Sequence, residues 1–171
     1  KNIDYLALGH IHSHVDSELD GRGIYAYSGC LEGRGFDEIG QKGFYLLTIE
    51  EKIEKEFIPF SKRLILEKEV EISSQNGLYE TINYLKSTLN LEKKNIYQVI
   101  LKGEIDFDNS SLEKDVQKSL EDLCYFCYVK DKTLRKFNID DYKGDTSLKG
   151  EFIRSVLTDE SLTIEQKQNI I

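Results

Sequence analysis

Apolar positions in the first sixty residues come in short runs cut by glycine. "IDYLAL" alternates and stops at Gly9, which predicts a short buried strand. "GIYAYSG" (23–29) and "GFYLLTIE" (43–50) predict two more strands. "KIEKEFIPF" (52–60) predicts a fourth, less regular one that ends around Pro59, the only proline, where a strand end tolerates the missing N–H. The polar run "SHVDSELDGRG" between the first two strands predicts a turn.

From Arg63 the pattern changes. "RLILEKEVEI" alternates like a strand, and "LYETINYLKSTL" then sets Leu78, Ile82, Leu85 and Leu89 on one helical face. "IYQVILKGEI" (96–105) predicts a strand. "SSLEKDVQKSLEDL" predicts a helix capped by Ser110 or Ser111, with a stripe of Leu112, Val116, Leu120 and Leu123. "CYFCYVKDK" is another strand. "SLKGEFIRSVL" and "TIEQKQNII" predict two closing helices, the last capped at Thr163 with Glu165 and Gln166. Strand–helix–strand–helix–strand is a compact α/β module, so the chain reads as α+β with a boundary at Ser61–Arg63, dividing it into 1–62 and 63–171.

Composition narrows the class. The chain has 171 residues, enough for a real core. No run approaches the roughly 18 apolar residues of a membrane span, and no charged-then-apolar leader opens the chain; a cytoplasmic location is expected. The net charge is −8, with 6 Lys+Arg against 11 Asp+Glu in residues 1–60 and 17 against 20 in 61–171. Any DNA contact would therefore rest on a local cluster, not on bulk charge. There is no methionine, and the chain reads as a portion of a longer protein.

Three cysteines argue against a disulfide framework. Cys124 and Cys127 form C-x-x-C inside a strand-like run, where residues three apart would point to opposite faces. They are expected as buried core thiols, not zinc ligands.

All three histidines, His10, His12 and His14, fall within "GHIHSH". In an extended segment His10 and His12 would point the same way, which would let two imidazoles enter one site from a strand end. Gly9 before them permits close approach of a ligand. H-x-H at such a place suits two adjacent metal ions; a pair of surface histidines with no role fits the spacing equally.

"DYLALGHIH", followed by "YSGCLEGRGFDEIGQKGFYLLTIE", resembles the C-terminal part of the calcineurin-like metallophosphoesterase nucleases, and among them the SbcD and YhaO-type DNA-repair exonucleases. The likeness is strongest over residues 4–50 and thinner beyond 63. It implies the end of a metallophosphoesterase β-sandwich (1–62) followed by a small α/β capping domain (63–171). It also implies a two-metal, manganese-type DNA exonuclease or endonuclease of double-strand-break repair, with His10 and His12 each ligating one of two divalent ions. The family's upstream Asp-x-His, Gly-Asp-x-x-Asp and Gly-Asn-His motifs are absent, so this segment is expected to be inactive alone. Cys30 stands where the family often has serine. Implied partners are DNA ends and an SMC-type ATPase of the SbcC or YhaN kind, with a homodimer of the full-length parent. The alternative is a non-catalytic module that binds DNA ends or the ATPase and carries a relic metal motif.

The remaining candidates are weaker. His14 is expected as a loop histidine near the site, able to donate a proton to a leaving group. Arg34 in "GCLEGRGFDEIGQKG" is placed either in a plain turn or against a DNA phosphate. Asp37 and Glu38 are expected to be solvated or paired with Arg34. "DSELDGRGIYAY" begins like an EF-hand loop at Asp16, Glu18, Asp20 and Gly21, but its twelfth position is Tyr27 where a Glu belongs, so calcium binding is rejected. No Gly-Lys-Ser/Thr makes a P-loop, and no histidine beyond position 14 can build a hydrolase triad.

Apolar strand edges at Tyr5–Leu8 predict self-association of this chain by strand pairing. Light scattering should show concentration-dependent oligomers; a monodisperse monomer would count against it.

Overall fold

A computed structural model describes residues 3–136, 144–163, 167 and 170. Among them the protein is a mixed α+β structure with several small sheets. It divides into two compact units, Lys1–Leu134 and Arg135–Ile171.

The first unit opens with β1 (Tyr5–Leu8), β2 (Val15–Glu18) and β3 (Ile24–Tyr27), a sheet of order β1-β3-β2 with β1 parallel and β2 antiparallel to β3. The expected turn over the polar run thus contains a strand. β2 is exposed at every position and pairs on one side only, so it needs no apolar pattern and shows none. β1 is also less buried than its alternation suggests: Ala7 is exposed and Tyr5, Leu6 and Leu8 are half-buried. β4 (Gly43–Ile49) and β5 (Ile53–Pro59) form an antiparallel hairpin in full register, from Gly43 opposite Pro59 to Ile49 opposite Ile53.

The main core lies beyond Arg63. β6 (Ile65–Glu71), β7 (Ile96–Lys102) and β9 (Phe126–Asp131) form a parallel sheet with β7 in the centre. β7 has the near-continuous apolar run of a strand covered on both faces. Its Tyr97, Val99 and Leu101 meet Leu85 of α1 (Leu78–Thr88), Leu89 at the cap of that helix and Leu112, Val116 and Leu120 of α2 (Leu112–Leu120) in one buried cluster. The two helices touch each other, as two parallel crossovers over one sheet face require. α1 ends where Asn90 takes a left-handed backbone, φ 46°.

Three details differ from expectation. The strand over 96–105 breaks at Gly103, φ 107°, and resumes as β8 (Glu104–Ile105), which pairs with β10 (Leu134–Arg135) through Leu134 N–H and the Gly103 carbonyl, 2.8 Å. Ser111 occupies the α2 N-cap, but its hydroxyl donates to Asp115 and not to the backbone. Leu123 leaves the α2 stripe because the chain tightens into a 3₁₀ turn over Glu121–Leu123, and it is partly exposed.

The cysteines correct a premise. β9 begins at Phe126, so Cys124 precedes the strand and strand alternation does not separate the two thiols. Cys124 and Cys127 are both buried and within hydrogen-bonding reach of each other. Cys124 Sγ donates to the Leu120 carbonyl at 3.5 Å.

In the second unit α3 (Leu148–Thr158) is capped by Ser147, whose hydroxyl accepts the Gly150 N–H at 3.1 Å. The expected last helix, 163–171, lies mostly outside the described residues. The sequence boundary at 62/63 marks a change of sheet, whereas the compact units divide at 134/135. Among the described residues no helix is long and apolar enough to cross a membrane.

Burial pushes the Cys127 thiol up to about 12 and raises Cys124 and Cys30 as well. A thiol reagent should therefore modify Cys30 first, and Cys124 and Cys127 only on unfolding. Raising the pH through the ordinary thiol range should not speed Cys127. Mass spectrometry of partially labelled protein checks both; prompt native labelling at Cys127 would refute the burial argument.

Candidate functional site

β1 delivers the histidines, but not as an extended H-x-H. The strand stops at Leu8, and residues 9–14 form a bent connection with His10 at φ 81°, a left-handed conformation uncommon outside glycine. The expected same-face pairing of His10 and His12 by strand alternation therefore does not apply. All three histidines are exposed. His14 stacks on Phe57 of β5, ring centroids 4.1 Å apart, and is taken up by that contact.

His12 is the residue around which other groups gather. The chain after β3 returns past it: Cys30 N–H donates to the His12 carbonyl at 3.3 Å. Gly29 makes this approach possible, since it has φ 79° and a Cβ there would lie 2.8 Å from the His12 carbonyl oxygen. The glycine-rich stretch then brings Glu38 under the ring. His12 Nδ1 bonds Glu38 Oε1, while the other carboxylate oxygen accepts the Arg34 backbone N–H at 3.0 Å and faces Cys30 Sγ at 3.7 Å. Glu38 was expected to be solvated or paired with Arg34. It is buried, and it pairs with Arg34 and with His12. The His12 hydrogen bond first, then the Arg34 N–H, holds its carboxyl down at about 2. Asp37 beside it is exposed.

Arg34 Nη2 stands 2.7 Å from His12 Nδ1, 3.1 Å from Nε2 and 3.3 Å from Glu38 Oε1. With Nδ1 donating to the carboxylate, Nε2 is the ring's one acceptor, and a guanidinium nitrogen this close to both ring nitrogens stands over the ring face, off the in-plane lone pair of Nε2. The Arg34 side chain is 67% exposed, and Glu38 9%.

The same loop is tied to the parallel sheet. Gly40 N–H donates to the Ile65 carbonyl at 2.8 Å, and Phe36 stacks on Tyr128, centroids 5.8 Å apart. Gly33 lies so close to Ile65 that a Cβ would come within 2.9 Å of its side chain.

His10 and His12 suit a metal by donor type. Among the described residues no side chain hydrogen-bonds His10, and the one side chain beside His12 Nε2 is a solvent-exposed arginine. By number they do not suffice, since no group of three or more His, Cys, Asp or Glu that could hold a metal occurs among the described residues. A cavity of about 680 Å³ lies beside α2 and β9, lined by residues that include Ser110, Glu113 and Tyr128 and by no histidine.

Sequence reasoning missed Glu38 as the partner of His12. Its available signal was Phe36: an aromatic side chain in a glycine-rich turn needs a surface to cover, so that turn has to fold back. Also missed was Asp16 of β2, which accepts from Tyr45 Oη at 2.8 Å and pairs with Lys55, joining β2 to the hairpin.

No protein-family model matches the chain, and no curated protein sequence matches it.

Lys55 first, then Tyr45, holds the Asp16 carboxyl below its ordinary 3.8. A lowered folded-state value contributes stability that is present above the unfolded value and lost as pH falls through the folded one. Asp16→Asn should lower the thermal midpoint at neutral pH, and the gap to wild type should close below 3.8. A gap that persists in acid would show that Asp16 acts by packing.

Proposed function

We propose that this chain is the C-terminal portion of a two-metal, manganese-type DNA exonuclease or endonuclease acting in double-strand-break repair. Residues 63–171 form a cap that restricts which DNA ends reach the metals. His10 and His12 supply two of the ligands, and the remaining donors come from the resembled family's upstream motifs. The observation that carries the reading is the His12 arrangement: a buried carboxylate holds Nδ1, and the lone pair of Nε2 is left for a ligand. Carboxylate–histidine pairs of this kind orient metal-binding imidazoles. Three further features support it. The backbone strain at His10 is of the type that clusters at functional sites. Ile11, Val15, Leu31, Leu46 and Ile49 stay exposed in the first sixty residues, which suits strands that belong to a larger sheet system. The loop carrying Glu38 is tied to the sheet of the proposed cap.

When bound, two divalent ions would supply an activated water and charge stabilisation for the leaving oxygen of a phosphodiester. The chain's own residues orient and bind. Glu38 holds His12, and Arg34, leaving the ring, offers its planar fork to a backbone phosphate. An SMC-type ATPase and a second copy of the full-length parent are the proposed partners, and the cytoplasm the proposed location.

The second reading, a non-catalytic module binding DNA ends or the ATPase, is favoured by one observation: the guanidinium of Arg34 already stands 3.1 Å from the free nitrogen of His12, where a metal would have to displace it. The full-length gene product separates the two. With Mn²⁺ it should degrade linear DNA, and His12→Ala should abolish cleavage while DNA binding persists. A full-length product with no Mn²⁺-dependent cleavage, or equal cleavage by the variant, would hand the assignment to the interaction module.

A further inference from the structure

We infer that Glu38 is a positioning residue that fixes the tautomer and orientation of His12, and that the parallel sheet β6-β7-β9 keeps Glu38 in place through the loop over residues 30–42. The inference rests on the metal-site reading of His12 for its purpose, but the clamp itself is testable without a metal.

The carboxylate has little freedom to do anything else. One oxygen takes His12 Nδ1–H; the other takes the Arg34 backbone N–H at 3.0 Å and faces Cys30 Sγ at 3.7 Å. The Arg34 guanidinium also reaches the first oxygen, at 3.3 Å, and a buried carboxylate that turned from His12 would give up its first partner for no contact with water. An acceptor-only group at Nδ1 forces the proton onto Nδ1 and the lone pair onto Nε2. A free imidazole has no such constraint.

The loop is itself held from the far side. Phe36 rests on the Tyr128 ring, Gly40 N–H bonds the Ile65 carbonyl at 2.8 Å, and Gly33 lies against the Ile65 side chain. Tyr128 and Ile65 sit on the sheet face opposite the helices: strand neighbours Cys127, Val129 and Val70 belong to the helix-covered cluster, and these two do not. Between Arg34 and Gly40 the chain therefore touches the imidazole through Glu38 and the sheet through Phe36. An imidazole just after β1 is in this way oriented by strands that all lie beyond Ser61. Tyr128 is a positioning residue two contacts removed.

Long-range ¹H–¹⁵N spectra of the imidazoles decide this, taken on the ¹⁵N-labelled chain at about pH 8, where an ordinary histidine is neutral. Only three histidines contribute. Wild type should show His12 with a protonated Nδ1 and an unprotonated Nε2. Glu38→Ala should lose this and give the averaged pattern of a free imidazole, Tyr128→Ala should shift it partway in the same direction, and Arg34→Ala, which keeps the backbone N–H, should leave it intact. Amide shifts of Val99 and Leu101 report whether the core survives in each variant. An unchanged His12 tautomer in Glu38→Ala overturns the inference, and so does its loss in Arg34→Ala alone.

Titration with Mn²⁺ separates this result from the fate of the metal reading. Selective broadening of His10 and His12 in wild type, needing on the order of tenfold more Mn²⁺ in Glu38→Ala, supports both. No selective broadening in the wild-type chain or in the full-length product defeats the metal reading, and the tautomer still decides whether Glu38 positions His12.

Discussion

A carboxylate removed from water must find donors, and Glu38 is where that requirement organises the first unit. Its two oxygens draw together a side chain from the segment after β1, the backbone of the glycine-rich loop and the thiol of Cys30. If the loop lifted, the charge would return to water and His12 would lose the group that orients it. The stacking of Phe36 on Tyr128 and the Gly40–Ile65 bond oppose that movement. One short loop thus carries two duties, satisfying a buried charge and joining the early strands to the parallel sheet.

The two regions of the first unit are built to different standards. Around β7 the apolar side chains of three strands and two helices close on one another, and Val99, Leu101, Val116 and Leu120 are fully buried. The described residues among the first sixty have no comparable centre: Ala26 is the one buried hydrophobic side chain among them. Their strands are held by backbone ladders and by polar links, such as the pairing of Asp16 with Tyr45 and Lys55. Under the proposed reading that thinness has a cause, because strands that belong to a larger sandwich leave their apolar side chains for elements from outside this segment.

How legible each region was in the sequence follows from the same contrast. The helices and the parallel strands were readable because burial imposes a period: Leu112, Val116 and Leu120 recur every four residues, and β7 is apolar nearly throughout. β2 was hidden because an exposed edge strand has no apolar face to display. Cys124 and Cys127 are buried core thiols as expected, but their separation by strand alternation was misread, because the 3₁₀ turn over Glu121–Leu123 delays the start of β9 beyond the first cysteine, and a turn of that length leaves no periodic trace. At the site, the histidine cluster was visible by residue type alone. The burial of Glu38 was not, since it depends on a loop returning to a sheet that begins 27 residues later, at Ile65.

The two contacts of His12 differ in kind, and the difference bears on what the ring can receive. Its bond to Glu38 ends on a carboxylate with 9% exposure, so giving it up leaves a buried charge to the contacts of Arg34 and Cys30 alone. Its contact with Arg34 ends on a side chain two-thirds in water, which can re-solvate at once, and exposed contacts of this kind hold weakly. An incoming ligand therefore meets an imidazole that is rigid on the Nδ1 side and releasable on the Nε2 side. A metal ion would repel the guanidinium, whereas a phosphate would attract it. Two such ligands arriving together would move Arg34 off the ring and onto the anion without disturbing Glu38. Under the proposed reading that ordering, a fixed nitrogen and a guarded one, lets the ring take a metal while the guanidinium turns to the phosphate.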